Sequence, residues 1–201
     1  HVRIDHNLFE NKQQLGSFIV LHVSNNLEED DMARHTLIDH NHFKDMATLG
    51  QNGGEAIRIG NTRYKSQIDS HTIIEHNLFE RTDGERSEII SIKNSSNIIR
   101  YNTVLETEGA ITLRYGDRNS VYGNYFLGNG KPGTGGVRIY GQDQKVYNNY
   151  FAGLTREAVT LGSGNADDVA ALDETGYIRL NRVEVVHNTF VDNNTHLAYQ
   201  H

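Results

Sequence analysis

Short alternating segments recur along the whole chain. The pattern is Ile or Val, two residues, Asn, one residue, then Phe or Val. It reads "IDHNLF" (4–9), "IDHNHF" (38–43), "IEHNLF" (74–79), "IRYNTV" (99–104), "VYGNYF" (121–126), "VYNNYF" (146–151) and "VVHNTF" (185–190). The shared asparagines are Asn7, Asn41, Asn77, Asn102, Asn124, Asn149 and Asn188. The three middle spacings are 25, 22 and 25 residues; the outer ones, 34, 36 and 39, read as one coil plus an inserted loop. Segments that are short, β-branched and alternating are strands, not the Ala/Leu-rich helices of helical solenoids. Several strands per 22–25-residue turn predict an all-β parallel β-helix whose coils stack about 4.8 Å apart. Each coil then buries its inward residues only against its neighbours. Asparagine tolerates tight bends, and its amide can bond the next asparagine of a stack. The repeated Asn is therefore read as a structural ladder and not as a sugar ligand.

A second strand family lies between these motifs: "FIVLHV" (18–23), "AIRIG" (56–60), "EIISIK" (88–93), "AITLRYG" (110–116), "GVRIYG" (136–141) and "AVTLG" (158–162). Alternation along a strand decides which side chains point outward. Ile57 and Ile59 face in around Arg58, and Val137 and Ile139 face in around Arg138. Ile90 and Ile92 put Lys93 outside, and Ile111 and Leu113 do the same for Arg114. Lys93 to Arg114 is 21 residues and Arg114 to Arg138 is 24, each one coil. The expectation is one outward column of Arg58, Lys93, Arg114 and Arg138, continued by Thr160 and begun by His22.

Composition narrows the use of that column. At 36% hydrophobic residues and a mean hydropathy of -0.60, the core must be thin and long rather than thick. No run approaches the ~20 apolar residues of a membrane span. With no cysteine, disulfides and thiolate metal sites are excluded. The net charge of -7 argues against general nucleic-acid binding, which needs a basic face. The acidic run "LEEDD" (27–31) reads as a solvated loop. Histidines such as those of "HNH" (40–42) read as surface or ladder residues, not metal ligands. The chain begins inside a repeat and without Met, so it reads as a single β-helix domain, residues 1–201, of a longer protein.

Like charges on neighbouring strands are unfavourable, so four cations on successive coils of an acidic chain call for a purpose. A groove for a linear polyanion supplies one, because it focuses potential locally despite the net charge. No aromatic interleaving of the single-strand nucleic-acid kind accompanies it, so an acidic polysaccharide fits better. Just before the cations lie Asn52 and Glu55, and then Asp83, Glu85 and Glu88. Such hard-oxygen groups suit calcium. Equally, Glu85 or Glu88 could simply pair with Lys93 or Arg114.

The ordered set "NGGEAIRIG", "DGE..EIISIK", "GAITLRYG" and "GGVRIYG" resembles polysaccharide lyase family 6, the alginate lyase and chondroitinase B family, over residues 50–190. That resemblance implies a right-handed parallel β-helix and β-elimination on a uronic-acid polymer, alginate above all. It implies Lys93 as Brønsted base and Arg114 as acid. It implies calcium held by Asn52, Glu85 and Glu88, and substrate contacts from Arg58, Arg138, Tyr115 and Tyr177. It further implies a secreted or periplasmic bacterial enzyme without nucleic-acid or membrane partners. The family spaces its glutamates as Glu-x-Glu; this chain has "ERSE", which displaces Glu85 and puts Arg86 between. Tyr115 stands where histidine is frequent, which favours an alginate-type site. Three alternatives compete with this reading. A β-helix glycoside hydrolase needs converging aspartates, which the column lacks. An alginate C5-epimerase shares the first half of the chemistry, but its "DPH" signature is absent, and the only proline is Pro132. A noncatalytic binding β-helix would bind the polymer and release nothing.

Overall fold

The computed structural model describes residues 1–26, 28–50, 52–61, 63, 65–171 and 176–200. Each Asn motif folds as two short strands around a sharp turn, for example Ile98–Arg100 and Thr103–Leu105. The bend falls on the residue before the asparagine, not on the asparagine. His6, His40, His76, Tyr101, Asn148 and His187 hold φ between 54° and 56°, the left-handed region. The asparagine is thereby freed for the ladder. Its Oδ1 accepts both the backbone N–H and the Nδ2 of the preceding motif's asparagine, at 2.9–3.1 Å, from Asn7 through to Asn188. A second ladder, not anticipated from the sequence, links Asn97, Asn119 and Gln144 at another corner of the coil. Both ladders satisfy buried backbone donors that no sheet reaches.

Among the described residues these turns generate three sheets, each of seven parallel strands. Two carry the halves of the Asn motif. The third holds the second strand family, Ile19–Leu21, Ile57–Ile59, Glu88–Ile92, Gly109–Leu113, Thr134–Ile139, Glu157–Gly162 and Thr195–Gln200. The fold is a parallel β-helix. The longer spacings are single coils with loops spliced in, since Asp5 lies opposite Asp39 and Lys145 opposite Glu184 with register intact. Inward side chains stack along the axis. Phe9, Phe43 and Phe79 lie 4.9 Å apart ring to ring, and Phe126 and Phe151 lie 4.7 Å apart. Isoleucines line the opposite wall, fully buried at positions 57, 90 and 111.

The acidic run is more than a solvated loop. Asp31 Oδ1 accepts from Lys65 Nζ at 2.5 Å, and Lys65 is buried, donating also to Ser24 Oγ and the Glu29 carbonyl. The lysine holds the Asp31 carboxyl at about 2. Leu27, at the head of the run, lies outside the described residues. Among those residues no helix is long and apolar enough to cross a membrane.

Candidate active site

The four expected cations share the outward face of the third sheet, but they form two columns rather than one. Arg58 pairs in register with Ser91, then Thr112, Arg138 and Thr160. Lys93 and Arg114 lie two residues further along their strands. The backbone bonds Lys93 N to Ile59 O, Arg114 N to Ile92 O and Tyr140 N to Leu113 O carry this second column through Gly60, Lys93, Arg114 and Tyr140. The 24 residues between Arg114 and Arg138 are two short of the 26 that separate register partners such as Thr112 and Arg138. An offset of two keeps the side chain outward, so alternation predicted the face correctly and the position along the strand wrongly. Thr160 belongs to the first column; His22, next to Leu21 opposite Ile59, belongs to the second.

Beneath the columns lie three buried carboxylates. Gly54 and Gly84 pack back to back: a Cβ on Gly84 would sit 2.1 Å from the Gly54 carbonyl oxygen. Only glycine allows that approach, and it brings Glu55 and Glu85, the residues that follow, together. One oxygen each from Glu55, Glu85 and Glu88 lies within 4.8 Å of the others. Glu85 is fixed by the Gly53 N–H at 2.8 Å, the Gly54 N–H at 3.2 Å and Ser87 Oγ at 2.9 Å. Burial, then the charges of Glu55 and Glu88, push its carboxyl above the ordinary range. Glu88 Oε1 accepts from Arg114 Nη1 at 3.0 Å and from Arg138 Nη2 at 2.9 Å, while its Oε2 is buried without a partner.

Lys93 stands over this cluster. Its Nζ is 4.0 Å from Glu55 Oε1, its side chain is 11% exposed, and it makes no hydrogen bond among the described residues. Burial lowers its pKa; Glu55 opposes that, and Arg114 adds to it. Burial also works against the charge of Arg114, but Glu88, Tyr177 and Tyr115 more than offset it and keep the guanidinium protonated. Arg114 Cζ lies 5.5 Å from the Tyr177 ring centroid and 5.8 Å from that of Tyr115. Tyr177 stacks between Tyr115 and Tyr140, at 5.8 and 4.1 Å. The structure thus brings Lys93, Arg114, Arg138, Tyr115, Tyr177, Glu85 and Glu88 together, with Arg58 close enough to Lys93 to repel it.

Two residues belong here that the resemblance did not name, Glu55 and Tyr140. Glu55 completes the carboxylate trio; Asn52 is exposed, one residue before the Gly53 amide that binds Glu85. The signal was present as "GGE" and "DGE", the same dipeptide on adjoining coils. Tyr140 was visible in "VRIYG" but carried no distinguishing mark. The trio fits calcium on its own chemistry. It is hard oxygen, buried, held close by a glycine contact, and it includes an oxygen with no internal partner.

A family model described as Chondroitinase B matches residues 1–201. A search among curated proteins finds no match. Among solved structures, a mannuronic acid specific polysaccharide family 6 lyase from human gut microbiota superposes with a TM-score of 0.89 at 35% identity. The alginate lyase AlyGC of the same family gives 0.75 at 38%, and a family 6 alginate lyase in complex with a trisaccharide gives 0.82 at 32%. They cover 99%, 88% and 94% of this chain, which spans only 44%, 24% and 43% of theirs. By motif, by fold and by family match over its whole length, this chain belongs to polysaccharide lyase family 6, the chondroitinase B family.

Proposed function

We propose that this chain carries the catalytic groove of a polysaccharide lyase that cleaves alginate by β-elimination. The observation that carries the reading is Lys93 beside Arg114, one coil apart in one outward column, with the lysine held below its ordinary pKa by burial. A free lysine, with pKa ≈ 10.4, is almost wholly protonated at neutral pH and is a poor base. Burial and the Arg114 charge raise the neutral fraction.

Neutral Lys93 Nζ takes the C5 proton of the uronate. The electron pair left on C5 forms the C4–C5 double bond as the C4–O bond breaks. Arg114, as the acid, gives the departing glycosidic oxygen a proton and regains one from water. Removal of the C5 proton loads charge onto the adjacent carboxylate, and Arg58 and Arg138 face the groove where that charge develops. Glu55, Glu85 and Glu88 would hold calcium, which when bound supplies positive charge to the same carboxylate. Tyr177 and Tyr115 orient Arg114 and offer their edges to the sugar. A polymeric, anionic substrate agrees with the length of the columns and with the alginate lyases among the structural relatives.

The test is ultraviolet absorbance of alginate incubated with the protein, with and without chelator. Unsaturated ends form with the parent and fall at least about 10³-fold with Lys93→Ala, the loss of a general base and more. An unchanged Lys93→Ala rate would remove Lys93 as base. A change of sugar configuration without unsaturated ends would identify an epimerase. Binding with neither would leave a noncatalytic module.

A further inference from the structure

Beside the catalytic columns runs a trough that neither they nor the carboxylate trio uses. Arg156 lies along it. From its own coil it reaches back 70 residues in sequence, and its Nη1 donates to the Arg86 carbonyl oxygen at 3.1 Å. The intervening coils offer Gly109, Ala110 and Gly135 as floor, residues small enough for a long side chain to lie across them. Arg156 and Ser87 are common to two adjoining cavities. One, of about 420 Å³, extends past Glu85 and Arg86 to Thr48. The other, of about 110 Å³, opens onto Arg138 and Thr160 of the first column. The trough is therefore continuous with the proposed substrate groove.

Its charge is uncommitted. No carboxylate lies within ion-pair distance of Arg156 among the described residues. Arg86 keeps 61% of its side chain exposed; its Nε lies 3.5 Å from Glu108 Oε2 and donates to Thr48 Oγ1 at 3.3 Å. Glu85, on the same wall, is already bound by two backbone amides and Ser87, and Glu157 accepts weakly from Gln200 at 3.4 Å. Arg156 spends Nη1 on the Arg86 carbonyl and Arg86 spends Nε on Thr48 and Glu108; among the described residues their other guanidinium N–H groups make no hydrogen bond, and these can receive a carboxylate bidentately.

We propose that Arg156, seconded by Arg86, forms an outer subsite for a uronate carboxylate. It would grip the sugar lying beyond the one at Arg138. This rests on the polyuronate reading above. A linear polyuronate carries one carboxylate per sugar, and a coil rise of about 4.8 Å is close to one sugar length, so a chain along the trough brings a later carboxylate to the Arg156 guanidinium, which meets Arg86 two coils from Arg138. The site binds and does not react, so its effect falls on affinity.

The test uses calorimetric titration of an alginate hexasaccharide into Lys93→Ala protein. Adding Arg156→Gln removes the charge and ends the side chain two bonds short of the Arg86 carbonyl. It is expected to weaken Kd about tenfold, roughly the worth of one charge-assisted hydrogen bond, and to flatten the salt dependence. Arg156→Lys falls between. With Lys93 intact, Arg156→Gln raises KM by a similar factor and leaves kcat near the parent's. Arg86→Ser weakens binding by less. Undiminished affinity of the Arg156→Gln protein overturns the subsite alone. So does an equal loss measured with a carboxyl-esterified oligosaccharide. Failure of the Lys93→Ala protein to bind the hexasaccharide at all overturns both the subsite and the substrate reading.

Discussion

Replacing Glu88 by glutamine removes one negative charge from between two arginines. Glu88 is 1% exposed at its side chain, and Arg114 and Arg138 are 30% and 28% exposed. Both donate to the same oxygen, at 3.0 and 2.9 Å. At an effective dielectric of about 20, each contact corresponds to about 4 kcal/mol of Coulomb energy, most of it offset by the cost of desolvating the groups. Breaking such a pair typically costs about 3–5 kcal/mol through the stranded charge. Glutamine retains an acceptor, and the arginines keep some water, so the expected loss is about 2–3 kcal/mol. For a domain of this size about 1 kcal/mol moves Tm by 2–4 °C, which gives a fall of about 4–12 °C. The variant should be melted by circular dichroism in chelator, so that no metal contributes. Its elimination rate should fall about 10²-fold, because Arg114 loses the partner that aims it. A Tm within about 1 °C of the parent, with kcat unchanged, would refute the reasoning that Glu88 organises both arginines.

The remaining outcomes follow from the same geometry. Lys93→Met is expected to stabilise the protein at neutral pH. The folded pKa of Lys93 lies below its ordinary 10.5, so charging it in the fold is penalised below that folded value, and the penalty fades as pH rises to 10.5. The gain over the parent should vanish in urea titrations above that pH, and a pH-independent gain would point to packing instead. The rate should rise with pH on a limb set by a lysine below its ordinary pKa, and a limb at 10.5 would mean an unperturbed base. Calcium at about 100 times its Kd should add about 2.7 kcal/mol in thermal unfolding, where magnesium does not. Glu85→Gln should abolish that increment and, without metal, exceed the parent in stability at neutral pH; its raised carboxyl pKa means stability is lost as pH climbs from 4.5 through the folded value. Asn102→Ala strands the buried Asn77 N–H and five hydrogen bonds in all, and should lower stability by about 2–4 kcal/mol in denaturant titration.

Much of this molecule is legible in its sequence because the β-helix is written one coil at a time. The period of the Asn motif specified the coil, and strand alternation specified which residues face out. Alternation has a period of two, however, and cannot distinguish positions offset by two residues. That is why Arg58 and Arg138 were merged with Lys93 and Arg114. A bulge between Gly109 and Ile111 adds to the ambiguity, since it changes the residue count of a coil without changing its height. Glu55 reads among the hard-oxygen groups but lies outside the calcium set the resemblance implies, for another reason. Its nearness to Glu85 depends on the Gly54–Gly84 contact, a packing event that spacing along the chain does not encode. Arg156 was invisible for a similar reason: its reach to Arg86 crosses coils whose small residues matter only once stacked. Lys65 shows the reverse case, a cation in an inserted loop whose partner, Asp31, sat in a run read as mere solvent-facing charge.

The asparagine ladder has a consequence for how such a protein can change. It acts as a ruler that measures height along the axis independently of chain length. Segments of different size are spliced between Leu21 and Thr36, between Ile59 and Ile73, and between Gly162 and Glu184, yet each following strand returns to its partner. The first two of these loops are clasped to each other by Lys65 and Asp31, and Asn94, next to Lys93, donates to the Lys65 carbonyl. The walls of the groove are therefore exchangeable parts mounted on an invariant scale. A lineage can rewrite what the groove admits by lengthening or replacing a loop, while Lys93 and Arg114, the proposed base and acid, stay one coil apart.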